Sequence, residues 1–181
     1  MIDTDLAKVR LVITDVDGVL TDGGLYYGEA GEVIKRFHVR DGLGIRLLEQ
    51  VGIETAVISG RASAALSKRI SDLGIKLVRT SVGDKGAASR ELMAEAGVSP
   101  EEAIFLGDDL IDVLGFQACG LSAVVADAPS YVREIADLTL ETKGGDGALR
   151  ELADRILVAQ GHGHLLRQGG VFNPADGGTR Q

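Results

Sequence analysis

Apolar residues fall in short, nearly unbroken runs: LVIT at 11–14, IETAVIS at 53–59, IKLVR at 75–79, AIFLG at 103–107, LSAVVA at 121–126 and LTLE at 138–141. Runs this short and this apolar predict strands covered on both faces. Between them the spacing changes. Leu43, Leu47, Leu48 and Val51 recur at helical intervals, predicting a helix with Asp41 as its N-cap and Gly52 just past its end. Helices are likewise predicted over 62–73, stopped by Gly74, and over 85–96, stopped by Gly97. A short helix after Asp109, a turn at 127–129 and a helical 131–136 follow. A last helix over 148–160 carries Leu149, Leu152, Ile156 and Leu157 on one face. Two extended runs, 25–28 and 32–39, joined by Glu29, Ala30 and Gly31, read as a hairpin.

Strands alternating with helices imply βαβ units. The predicted fold is therefore α/β, a three-layer Rossmann-like arrangement with a mostly parallel sheet, helices on both faces and the hairpin as an insertion. One domain is expected over 1–160. The remainder, 161–181, is Gly-rich and aperiodic and reads as a tail that is mobile unless something pins it. In such sheets ligands bind beyond the carboxyl ends of the strands. The polar signals gather there: Asp15 and Asp17 after the first strand, Ser59, Gly60 and Arg61 after the second, and Gly107, Asp108 and Asp109 after the fourth.

Composition narrows the function. At 181 residues and 45% apolar content, the chain can bury a core without disulfides or structural metal. The single Cys119 excludes an internal disulfide and fits a small core residue in a reducing, cytoplasmic setting. A net charge of −8 argues against nucleic acid as a partner, while leaving room for a small anion in a local positive pocket. The opening MIDTDLAKVR lacks the basic and apolar regions of a secretory signal, and no run reaches the length of a membrane span.

The strand ends supply an inventory for phosphoryl transfer. Asp15 and Asp17, at i and i+2 of an extended segment, should project from one face about 7 Å apart at Cα. Like charges that close need a cation. Asp15 is the candidate nucleophile, forming an aspartyl-phosphate, and Asp17 the acid and base. Asp15 and Asp108 suit Mg²⁺, a hard ion that favours few carboxylates plus water and phosphate oxygens. Ser59, the Gly60 amide and Lys85 are placed to bind phosphoryl oxygens, and Gly18 lets the backbone approach a ligand.

The motifs DVDGVLTDG, VISGR, DK and GDDLID, in that order, resemble the four motifs of the haloacid dehalogenase superfamily of phosphohydrolases. GEVIKRFHVRDGLGIRLLEQVGIETAVISGR, with GDDLID, GLSAVVADA and GALRELADRILVAQG, is similar over roughly residues 7–160 to the branch whose members hydrolyse 3-deoxy-D-manno-octulosonate 8-phosphate. The resemblance implies a lidless, Mg²⁺-dependent phosphoric monoester hydrolase of lipopolysaccharide precursor synthesis, active as a homotetramer. Carried over by position, it makes Asp15 the nucleophile and Asp17 the acid/base. Asp15, Asp17 and Asp108 become the metal residues. Ser59 and Lys85 complete the phosphate site, and Arg61 contacts the sugar acid.

Two gaps agree with a lidless site. Between Asp17 and Ser59 there is room only for the hairpin and one helix, and between Ser59 and Lys85 for one helix and one strand. Neighbouring copies, paired through the hairpin, are expected to close the site. After GDDLID the chain runs VLGFQACG where the family usually has a Pro-Val-Met-like segment, and its tail, with His162, His164 and Arg167, is longer.

Several positions carry plainer readings. Asp109 fits a helix-start charge, and Asp112 either orients Lys85 or holds a metal-bound water. Arg69, on the helix after Arg61, is a second candidate for the substrate, while Arg40 and Arg79 read as surface. His38 reads as structural or interfacial, and His162 and His164 as polar tail residues. Two rival functions remain: a phosphatase for a nine-carbon sialic-type sugar acid phosphate, and a binding or regulatory module that has lost the reaction.

Overall fold

Six of the apolar runs become strands of one sheet. The computed structural model describes residues 2–29 and 31–167. In chain order it comprises α1 (Ile2–Leu6), β1 (Leu11–Thr14), β2 (Tyr26–Gly28), β3 (Gly31–Ile34), α2 (Val39–Gln50), β4 (Glu54–Ile58), α3 (Ala64–Leu73), β5 (Leu77–Arg79), α4 (Lys85–Ala96), β6 (Ala103–Gly107), α5 (Val113–Ala118), β7 (Leu121–Val124), α6 (Ser130–Arg133), β8 (Leu138–Thr139) and α7 (Ala148–Ala159). The sheet order is β5-β4-β1-β6-β7-β8, with every pairing parallel. The hairpin β2–β3 forms a separate antiparallel ribbon.

The two central strands are buried along their whole length, which is why their sequences show no alternation. α2 packs along α7 on one side of the sheet, and α4 along α5 on the other, giving the expected three layers. The order reverses at β1: the chain goes outward through β4 and β5, then returns to lay β6 on the other flank. That reversal opens a crevice beyond the ends of β1 and β6. Thr14 pairs with Leu106 and with Val57, so the residues that follow β1, β6 and β4 emerge at one level.

Two helix starts differ from those the sequence predicts, one earlier and one later. α2 begins at Val39, capped by His38, whose Nδ1 accepts the Arg40 N–H at 3.2 Å. Asp41 is not the cap; it lies in the first turn, and its Oδ1 accepts the Arg150 N–H of α7 at 3.0 Å. α3 starts at Ala64, later than predicted, because Ser63 caps it through the Leu66 N–H. The C-terminal glycines behave as expected, Gly74 and Gly97 both taking the left-handed conformation.

The hairpin strands are shorter than predicted. After Ile34 the chain leaves the ribbon and returns only through an isolated bridge from Phe37 to Thr21. α6 and β8 are also shorter than the runs that suggested them, and α1 has no counterpart in the sequence reading. Beyond 160 the chain continues into a 3₁₀ turn, Gly163–Leu166, with Leu165 and Leu166 packed against the core. The expected mobile tail otherwise lies outside the described residues. No helix among the described residues is long and apolar enough to cross a membrane.

Candidate active site

Asp15 follows β1 directly, its N–H donating to the Leu106 carbonyl at 2.9 Å, so it continues the ladder and points into the crevice while only 2% exposed. The chain then turns: the Val19 and Thr21 N–H groups both donate to the Val16 carbonyl. Asp17 lies in this turn, past the end of β1. Each carboxylate receives its own ammonium. Asp15 Oδ1 lies 2.8 Å from Lys85 Nζ, and Asp17 Oδ1 accepts a hydrogen bond from Lys35 on the hairpin.

Lys85 opens α4, where a cation opposes the helix dipole. It is nonetheless buried, because Asp15 and Asp112 enclose it, with Asp112 Oδ1 at 2.5 Å. Burial alone would lower its pKa, but the two carboxylates more than offset this and hold it above the ordinary lysine value. Asp112 is wholly buried and has both oxygens committed, since Oδ2 accepts the Asp108 N–H at 2.8 Å and the Asp109 N–H at 3.2 Å. Its contact with Lys85 places Asp112 to orient that ammonium. Asp109 takes its plain role, accepting the Leu110 N–H at 2.7 Å.

Asp15, Asp108 and Asp112 bring carboxylate oxygens within 4.8 Å of one another. Against three carboxylates stands the single ammonium of Lys85. Burial, then the Asp112 charge, pushes Asp15 up to about 6 despite Lys85, and burial, then Asp112 and Asp15, pushes Asp108 up to about 8. An all-oxygen, charge-surplus cluster of this kind fits a hard divalent cation, which would offset the repulsion. Asp112 already accepts from Lys85 and two backbone N–H groups, which makes Asp15 and Asp108 the less encumbered ligands of the three. The Asp17 carboxylate is not brought into this cluster.

Gly18 makes the approach possible. Its φ is +96°, and a Cβ there would stand 2.1 Å from Asp108 Oδ2. From the far side, the loop before α7 presses so close that a Cβ on Gly144 would stand 1.8 Å from the Gly18 carbonyl oxygen.

Ser59 and Gly60 follow β4. Ser59 is buried, and its Oγ accepts the Arg61 N–H at 3.1 Å, leaving its own O–H to donate. The Arg61 guanidinium extends to the hairpin, donating to the Tyr27 hydroxyl at 2.8 Å and lying 3.7 Å from Glu32 Oε2. Arg69 goes elsewhere: it donates to the His38 carbonyl and lies over the Phe37 ring, bracing the start of α2. Arg79 pairs with Glu91 and Glu95 on the surface. The His162 and His164 rings lie near each other, 6.2 Å between centroids and tilted by 57°. Cys119 is half-buried against the core, and burial pushes its thiol up to about 12.

Lys35 and Glu32 meet at the edge of this site without any mark in the sequence. Nothing in a hairpin of mixed charge marks which lysine turns inward; the only local sign is their i, i+3 spacing, realised as an ion pair at 2.8 Å.

A parallel sheet with this carboxylate and lysine cluster at its reversal point is the fold and site of a haloacid dehalogenase-like hydrolase, and that family's model matches residues 80–152. A curated relative, the 3-deoxy-D-manno-octulosonate 8-phosphate phosphatase of Haemophilus influenzae, is 51% identical over 172 residues, covering 95% of this chain and 92% of its own. The chain belongs to the 3-deoxy-D-manno-octulosonate 8-phosphate phosphatase family. Solved structures agree. The cobalt-bound form of the Haemophilus influenzae phosphatase superposes with a TM-score of 0.90 at 51% identity, over 91% of this chain and 96% of that one. The Moraxella catarrhalis phosphatase, in complex with magnesium, phosphate and KDO, gives 0.88 at 33% identity, over 93% and 97%.

Proposed function

We propose that this chain is a metal-dependent phosphatase that hydrolyses 3-deoxy-D-manno-octulosonate 8-phosphate to the free sugar acid and phosphate. The observation that carries the chemistry is the buried Lys85 held between Asp15 and Asp112 beside Asp108, at the one crevice the sheet topology provides. The substrate follows from the relatives' activity. Uncatalysed phosphate-monoester hydrolysis is slow enough that enzymes accelerate it by up to ~10²¹-fold, so several groups must act at once.

In this reading an Asp15 oxygen attacks phosphorus and the bond from phosphorus to the sugar oxygen breaks. Asp17 gives its proton to the leaving alkoxide. Water then attacks the aspartyl-phosphate, Asp17 takes its proton, and phosphate leaves. The free O–H of Ser59, the Gly60 amide and Lys85 hold the phosphoryl oxygens. Mg²⁺ is the proposed cation; Asp15 and Asp108 would hold it, with Asp17 as the third residue of the set. Bound there, it offsets the repulsion between an anionic nucleophile and an anionic phosphate. Arg61 faces the sugar acid, and Arg69 serves it only indirectly, through α2.

The same proposal includes residues 1–160 as the catalytic domain, a cytoplasmic setting and a homotetramer. Leu25, Tyr26, Tyr27, Val33 and Ile34 form an apolar hairpin surface that is exposed in the single chain, and pairing with other copies would cover it. Sedimentation at working concentration tests this; a fully active monomer contradicts it. The substrate is tested by comparing kcat/KM for phosphate release from 3-deoxy-D-manno-octulosonate 8-phosphate and from a nine-carbon sialic acid 9-phosphate. The first should be preferred; equal or reversed values contradict the assignment.

A further inference from the structure

We propose that Lys35 is a positioning residue for catalysis, holding the Asp17 carboxylate in its working direction and tying it through the hairpin to Arg61. This rests on the reading of Asp17 as the acid that protonates the leaving alkoxide. Lys35 sits on the segment where the chain leaves β3, and its side chain is only 2% exposed, although the hairpin around it is largely open to solvent. A lysine is rarely buried to this degree without a partner. Here it has two: Asp17 Oδ1, and Glu32 Oε1 at 2.8 Å.

The arrangement is directional. Among the described residues, Lys35 is the hydrogen-bond donor on the Asp17 side chain, and that bond gives the carboxylate its direction. Lys35 is anchored in turn by Glu32, whose other oxygen lies 3.7 Å from Arg61, and Arg61 is held by the Tyr27 hydroxyl. A continuous chain of contacts thus runs Asp17, Lys35, Glu32, Arg61, Tyr27. It joins the acid to the residue facing the sugar acid, with the hairpin as the connecting strap. General-acid catalysis is sensitive to such placement, because a displaced donor no longer reaches the departing oxygen.

A leaving group that needs no proton separates this role from a structural one. kcat/KM reports steps up to the first irreversible one, here cleavage of the ester, and p-nitrophenolate departs without an acid. Lys35→Met should lower kcat/KM on 3-deoxy-D-manno-octulosonate 8-phosphate by about 10- to 100-fold, yet by less than about 3-fold on p-nitrophenyl phosphate, since general acid catalysis is worth roughly 10²–10⁴-fold. Lys35→Arg should recover part of the loss, and Glu32→Gln should show a smaller loss with the same substrate dependence. Combining Lys35→Met with Asp17→Asn should cost no more than Asp17→Asn alone.

Asp17→Asn is the control for the underlying reading. If it spares neither substrate selectively, Asp17 is not the acid and the reading itself fails. If Asp17→Asn spares p-nitrophenyl phosphate while Lys35→Met lowers both substrates equally or neither, the Lys35 proposal is overturned. Should Lys35→Met not fold, Lys35→Arg and Glu32→Gln carry the same comparison, and equal effects on both substrates overturn it.

Discussion

Lys85 Nζ lies 2.8 Å from Asp15 Oδ1 with both side chains almost wholly buried, so the proposed nucleophile and the proposed phosphate-binding cation form one unit. Removing the ammonium leaves Asp15 and Asp112 facing each other in a dry site. Lys85→Met should therefore destabilise the metal-free protein by about 3–5 kcal/mol and lower kcat by at least about 100-fold. Denaturant unfolding and steady-state kinetics check both. A variant of wild-type stability and turnover would show the pair to be incidental.

Gly18 holds a conformation and a clearance that no other residue can provide, with Asp108 Oδ2 where its Cβ would be. Gly18→Ala should displace Asp108 and weaken divalent cation binding by about 10- to 100-fold, at a stability cost of about 1–3 kcal/mol. Titration of the purified variant with Mg²⁺, followed calorimetrically, measures the first effect. Wild-type affinity would mean that Asp108 does not hold the cation.

The cluster of three carboxylates and one lysine should bind a divalent cation in the native state alone. Saturating Mg²⁺ at about 100 times its dissociation constant should stabilise the fold by about 2.7 kcal/mol. A thermal melt after EDTA treatment, repeated with Mg²⁺ restored, reads this directly. Asp108→Asn should abolish the response, and a response left intact in that variant would move the metal elsewhere.

Asp41 provides a pH signature away from the metal. Burial pushes it up to about 6, against the Arg150 N–H that it accepts, and its Oδ2 has no hydrogen-bond partner among the described residues. A carboxyl whose folded pKa is raised binds more protons in the native than in the unfolded state between about 4 and 6. Stability therefore falls as pH rises through that window and is level above it, by up to about 3 kcal/mol for a shift of this size. Asp41→Asn keeps an acceptor for Arg150 and removes the ionisation. Unfolding free energies of the two proteins from pH 4 to 7 should diverge, the wild type losing stability that the variant keeps; parallel curves would assign the titration to other groups.

What could be read from the chain in advance divides by the range of the forces involved. LVIT and AIFLG announced buried strands, because burial on both faces leaves no polar position to confuse the pattern. Gly74 and Gly97 announced helix ends, because a left-handed cap is a local matter. Asp15, Lys85 and Asp108 were legible as strand-end and helix-start charges once taken in order. The cap at His38 was not, since Asp41 is a good capping residue by local rules and is drawn away by a helix more than a hundred positions later. α1 spans five residues, too few for a helical period to show. Lys35 was the least visible, because its burial depends on how the hairpin folds over the site.

The central claim is that Asp15 carries the phosphoryl group between substrate and water. Its most direct test is a single turnover of 3-deoxy-D-manno-octulosonate 8-phosphate with Mg²⁺, quenched in acid on the millisecond scale and mapped by peptide mass spectrometry. The expected result is a transient, acid-stable phosphoryl adduct on the peptide containing Asp15, absent from Asp15→Asn, which should also release no phosphate. Full phosphate release by Asp15→Asn, or an adduct at a different residue, would contradict the account.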